Sequence, residues 1–71
     1  MQPEGYSEKH LWKLLVEAVH VIPTYPHHKS YVRDVILRDS PDIDAEELRI
    51  RLGITLGEAL VILQEIKEEG T

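Results

Sequence analysis

Asp44-Ala45-Glu46-Glu47-Leu48-Arg49-Ile50-Arg51-Leu52-Gly53-Ile54-Thr55-Leu56-Gly57-Glu58-Ala59-Leu60-Val61-Ile62-Leu63 carries two helix starts separated by one helix stop. Asp44 can cap a first turn while Glu47, three residues on, reaches back toward it, and Ile43 and Leu48 supply the hydrophobic staple. Gly53 suits the left-handed conformation that ends a helix, because it has no β-carbon to clash there. Arg49 and Arg51 place positive charge at the negative end of that helix. The device then repeats: Thr55 caps, Glu58 answers it, and Ile54 staples toward Ala59. The stretch predicts helices over about 45–52 and 56–69, joined by a tight turn.

Upstream, proline divides the chain into two further apolar-periodic segments. Pro3 and Gly5 leave residues 1–6 as a flexible N-terminus, and Ser7 is a candidate N-cap. A helix over about 7–22 has Leu11, Trp12, Leu14, Leu15, Val16, Ala18, Val19, Val21 and Ile22 as its apolar residues. Only a narrow polar stripe of His10, Lys13, Glu17 and His20 remains, so most of this helix is expected to be buried. Pro23 ends it and Pro26 opens the next, over about 26–38, whose inward stripe is Tyr31, Val32, Val35, Ile36 and Leu37. Asp39, Ser40 and Pro41 form the following stop. Residues 7–71 are therefore expected to form one all-α, four-helix small domain.

Seventy-one residues with a formal charge of -5 and no cysteine narrow the function classes. A chain this short has little room for a recessed catalytic cleft. A core of this size rarely supplies more than about 3–5 kcal/mol, so without disulfides or thiolate metal sites the extra stability must come from helix packing or a partner subunit. No apolar run approaches the roughly 18 residues of a membrane span, and Met1 to Tyr6 lacks the character of a secretory leader. The expectation is a soluble, cytoplasmic, non-enzymatic protein.

Ala45, Leu48, Leu52-Gly53-Ile54-Thr55, Ala59, Ile62-Leu63 and Ile66 follow a recognisable pattern. Over about residues 30–70 the chain resembles the winged helix-turn-helix family of transcription regulators. Tyr31 to Asp39 looks like the helix preceding that motif, and Ile66 to Gly70 looks like the end of its recognition helix. The resemblance implies a tri-helical core to which the first helix here is an addition. It also implies DNA binding through Arg49, Arg51, Thr55, Gly57 and Gln64, with Lys29 and Arg33 on phosphates. The family's wing, a β-hairpin that would begin near Thr71, is expected to be absent.

Placing 56–69 on a helical wheel at 100° per residue points Ala59, Ile62, Leu63 and Ile66 inward. The opposite side carries Gly57, Val61, Gln64, Glu65 and Glu68, with Leu56 and Leu60 on one shoulder and Glu58 on the other. Base-edge readout wants Arg, Lys, Asn, Gln or Ser at such positions, and only Gln64 qualifies. Glu58, Glu65 and Glu68 would repel phosphate. Leu60 and Val61 either pack against the first helix or form a subunit interface, and Trp12 is an anchor for either arrangement. Lys29, Arg33, Arg49 and Arg51 interleave with Asp34, Asp39, Glu46 and Glu47, which suits solvated ion pairs better than a basic ridge.

These features favour protein–protein interaction or homodimerisation through Trp12, Leu56, Leu60 and Val61, with DNA binding as the alternative. No cofactor or small-molecule substrate is evident. His27 and His28 are adjacent, and His10 and His20 lie too far apart for an i, i+4 ligand pair, so no metal is expected. Ser7, Ser30 and Ser40 stand at cap or surface positions, and no glycine-rich phosphate loop or tuned carboxylate pair is present.

Overall fold

The computed structural model describes residues 7–70, so the flexibility expected of residues 1–6 lies outside the described residues. The described residues are all-helical and form four helices. Helix α1, Glu8–His20, starts where Ser7 Oγ accepts the His10 amide at 3.2 Å. After the turn at Pro23, helix α2 runs as three consecutive segments: Tyr25–Tyr31, a π-helical turn Val32–Ile36, and Leu37–Asp39. Helix α3, Ala45–Leu52, starts where Asp44 Oδ1 accepts the Glu47 amide at 2.8 Å. It ends at Gly53 with φ +66°, where the amides of Gly53 and Ile54 both donate to the Arg49 carbonyl, at 2.9 and 3.2 Å. Those two bonds satisfy carbonyl valence that the helix end would otherwise leave open. Helix α4, Leu56–Glu69, then starts with Thr55 Oγ1 accepting the Glu58 amide at 3.1 Å.

The capping boxes form only by half. Both cap side chains accept the expected amide, but neither glutamate carboxylate closes the reciprocal bond. Glu47 pairs instead with Arg51 at 2.8 Å, and Glu58 with His28 at 2.7 Å. For Glu47 the partner is a guanidinium, and a charged partner offers a stronger hydrogen bond than a neutral amide.

The core consists of Val19, Tyr25, Val32, Ile36, Leu48, Ala59, Val61 and Ile62. Helix α4 is its centre, packed by α1, by the first turns of α2 and most extensively by α3. Fully burying a Leu, Ile or Val side chain stabilises by about 1.5–3 kcal/mol, so Leu48, Val32, Val61 and Ile62 dominate this cluster.

Three expectations need correction. Helix α2 begins at Tyr25, one residue before Pro26, and Tyr25 itself is buried. Tyr31 and Val35, assigned to the inward stripe, are exposed. In the π-helical turn the Leu37 amide reaches back five residues to the Val32 carbonyl, and the wider turn leaves Val32 and Ile36 over the core while Tyr31 and Val35 rotate out. Helix α1 is also less covered than its composition suggests. Val19 is its only buried residue, Leu11, Leu15 and Val16 are half-buried, and Trp12, Leu14 and Ala18 are exposed, as is Val21 just beyond its end. The cause is geometric: α1 packs chiefly against α4, and one neighbour cannot cover a helix that is apolar on several sides.

Candidate functional site

The side of α4 that the helix-turn-helix resemblance would turn toward DNA is the side on which α1 lies. A β-carbon on Gly57 would stand 2.9 Å from Leu15 Cδ1, so the two helices meet closely at that point. Val61, one turn further along, has no exposed surface. Glu65, another turn on, accepts a hydrogen bond from His20 Nε2 at 2.8 Å. Gly57, Val61 and Glu65 follow one another at i, i+4 spacing, so α1 meets one face of α4 at Gly57 and at Glu65, with the buried Val61 between them.

Val61 is thus withdrawn from the surface residues expected at a subunit interface. Of the two arrangements left open for it, packing within the fold is the one adopted. Trp12, Leu56 and Leu60 remain exposed, with Leu56 and Leu60 each 41% accessible. Leu56 and Leu60 flank Gly57 on α4, while Leu11, Leu14 and Ala18 flank Leu15 on α1, so both sets of side chains border the crossing. Leu14 is 46% accessible, and Val21, one turn past Ala18, is 79% accessible.

The residues expected on DNA are each engaged within the chain. Lys29 contacts Glu65 at 3.5 Å and also bonds Glu69, and Arg33 donates to Glu69 at 2.8 Å. Arg49 pairs with Glu46, and Arg51 with Glu47 at 2.8 Å. Thr55 Oγ1 serves as a helix cap, Gly57 faces Leu15, and Gln64 Nε2 donates to Glu68 at 3.3 Å. These cations therefore divide into two groups. One is held against the end of α4 and the other is paired along α3, each beside its own carboxylates. Exposed pairs of this kind contribute at most about 1 kcal/mol, but they cancel the local positive field that phosphate tracking requires.

A polar network that the linear sequence did not reveal joins α1, α2 and α4. Tyr25 Oη donates to Glu65 Oε1, while the Glu65 Oε2 atom takes His20, whose ring lies 5.2 Å from that of Tyr25. Burial raises the Tyr25 phenol above its ordinary range, and the hydrogen bond to Glu65 and the neighbouring charges of Glu65, Glu69 and Glu58 add to the effect. Burial opposes ionisation of Glu65, yet hydrogen bonds from Tyr25 and His20, with the charges of His20 and Lys29, hold its carboxyl below the ordinary value. The hydrogen bond from Lys29 lowers Glu69 as well; burial opposes it, and the hydrogen bond from Arg33 and the charges of both cations add to the lowering. Glu58, placed on an outer shoulder by the wheel, is 3% accessible and sealed by His28. The only sequence signal for these pairs was the period of the α4 carboxylates: Glu58, Glu65 and Glu69 recur on one face at steps of seven and four.

No group of His, Asp and Glu side chains among the described residues could hold a metal ion. No helix among them is long and apolar enough to cross a membrane. A cleft of about 610 Å³ opens between the first turns of α1 and the last turns of α4, with Trp12 and Val16 among its lining residues. Comparison of the chain with family models, with curated proteins and with solved structures finds no match.

Proposed function

We propose that this chain is a helix-turn-helix-type binding domain that acts through protein–protein contact, with a second copy of itself as the partner, in a transcription-regulatory setting. The observation that carries the reading is the apolar surface left bare beside the α1–α4 crossing. Leu14, Leu56 and Leu60 each expose more than two-fifths of their surface, and Val21 almost four-fifths. A small monomer gains little from such a stripe, whereas covering it in a dimer removes apolar surface from water at about 25 cal/mol per Å². The capped helices α3 and α4 and the turn at Gly53 support the helix-turn-helix part of this reading, while α1 lies against the side of α4 that a groove-binding role would need. The surface left for recognition is therefore apolar and suited to polypeptide.

The test is solution mass measured against concentration for the full chain, together with Leu14→Glu and Leu60→Glu. Self-association that rises with concentration and is lost in both variants, while helix content is retained, supports the reading. A chain that stays monomeric at millimolar concentration overturns it. The second reading, DNA binding through α3 and α4, draws on the intact Gly53 turn and requires α1 to leave α4. Titration with mixed duplex DNA at about 50 mM salt would then show steeply salt-dependent binding that is stronger once α1 is displaced.

A further inference from the structure

Helix α1 leaves one long side uncovered. Leu11 is half-buried there, and Leu14, Ala18 and Val21 are exposed. The four follow one another at steps of three, four and three residues, the spacing of the apolar seam along which one helix pairs with another. At 100° per residue they fall within about 80° of arc, with no charged side chain among them. The two borders of this stripe differ. One is formed by Leu15 and Val19, which belong to the packing against α4. The other is formed by His10 and Glu17, with Lys13 one turn from Glu17 and further round the helix. Glu17 and Lys13 enter no hydrogen bond or ion pair among the described residues.

We propose that this stripe is the seam of an antiparallel pair of α1 helices, formed with a second copy of the chain about a two-fold axis. The inference rests on the self-association proposed above and adds which helices meet and in what direction. An axis near residue 16 sets Leu11 against the partner's Val21 and Leu14 against the partner's Ala18, so every apolar position of the stripe is used in both copies. The direction follows from the unlike borders. In an antiparallel pair like edges adjoin. The charged edges meet on one side, where Lys13 comes within two residues, about 3 Å along the axis, of the partner's Glu17. The Leu15 edges meet on the other side, with the two α4 helices alongside. A parallel pair would set the charged edge of each copy against the apolar edge of the other, where Glu17 would lose water without gaining a cation.

The chain has no cysteine, so an introduced thiol reports contact between copies without interference. Leu14→Cys and Ala18→Cys, both at exposed positions, are oxidised singly and as a mixture of full-length chains. The antiparallel seam brings position 14 of one copy onto position 18 of the other. Like positions then stand four residues apart, about 6 Å along the axis in addition to the helix separation, which is beyond disulfide reach. The mixture should therefore cross-link at least about tenfold faster than either variant alone. Glu17→Lys should raise the dimer dissociation constant about fivefold, and the exchanged pair Lys13→Glu with Glu17→Lys should restore it. Preferential cross-linking of each variant with itself, or an unchanged dissociation constant in Glu17→Lys, would overturn the antiparallel seam. A dimer by mass that cross-links in no combination would also overturn it, while leaving self-association through Leu56 and Leu60 standing. A chain that stays monomeric would remove both.

Discussion

Helices α3 and α4 and helix α1 are stretches of similar apolar richness with opposite fates. In the α3–α4 pair the cap side chains, the turn and the apolar period agree with the final packing. Asp44 and Thr55 cap, Gly53 turns, and Leu48, Ala59 and Ile62 fall on the side that becomes the core. In α1 the Ser7 cap behaves in this way, but Val19 alone is buried, Leu11, Leu15 and Val16 are half-buried, and Trp12, Leu14 and Ala18 are exposed. The lesson is that apolar content alone says how much a helix can bury, whereas agreement among caps, turn and period says where it does so.

The comparison can be broken or sharpened by substitution. The largest effect is expected from Leu48→Ala, which opens a cavity where α3 meets α4 and should cost about 2–5 kcal/mol in denaturant unfolding, with α1 lost in the same transition. An unfolding curve in which α1 outlasts α3 and α4 would reverse the order of dependence. Next comes Gly57→Ile. Even a β-carbon there would approach Leu15 to 2.9 Å, so the larger side chain must push α1 away, at about 1–3 kcal/mol. Hydrogen exchange should then accelerate in α1 and remain slow in α4; equal acceleration in both would show that α1 is integral to the core.

Gly53→Val should cost about 1–2 kcal/mol, because a left-handed residue with a β-carbon is strained, although a β-carbon would have no close neighbour there. A loss in thermal melting without local rearrangement would place the effect in backbone conformation and not in packing.

The smallest effect expected is one of pH. Glu65 has a folded carboxyl held below its ordinary value, so the stability it contributes is present above about pH 4.3, the unfolded value, and is lost as pH falls through the depressed one. Glu65→Gln should therefore flatten part of the acid limb of a stability-versus-pH curve, with Glu69 accounting for some of the remainder. The Tyr25 phenol acts in the opposite direction. Its raised value contributes stability that is present below about pH 10 and lost as pH climbs further. An acid limb identical in Glu65→Gln and the parent would mean that the network joining α1 to α4 is not coupled to folding.

The legibility of the site follows the same division. Thr55 and Gly53 were readable because their roles involve neighbours within five residues. Glu58 was misread as a capping partner because its actual partner, His28, lies thirty positions away. Val61 was assigned to the outer side of α4 because a wheel places polar and apolar sectors but cannot say which neighbour lies against each sector. The cleft between α1 and α4 had no linear signature.

The amino-acid order by itself determined four helices, the capped starts at Ser7, Asp44 and Thr55 and the left-handed turn at Gly53, because each depends on hydrogen bonds and backbone sterics spanning a few residues. Folding in three dimensions decided that α1 lies over Gly57 and Val61, that His20 reaches Glu65 across forty-five positions, and that Leu14, Leu56 and Leu60 stay in solvent. Those outcomes turn on which of several apolar faces packs against α4, and that choice is a competition among whole-helix contacts that no short window of sequence contains.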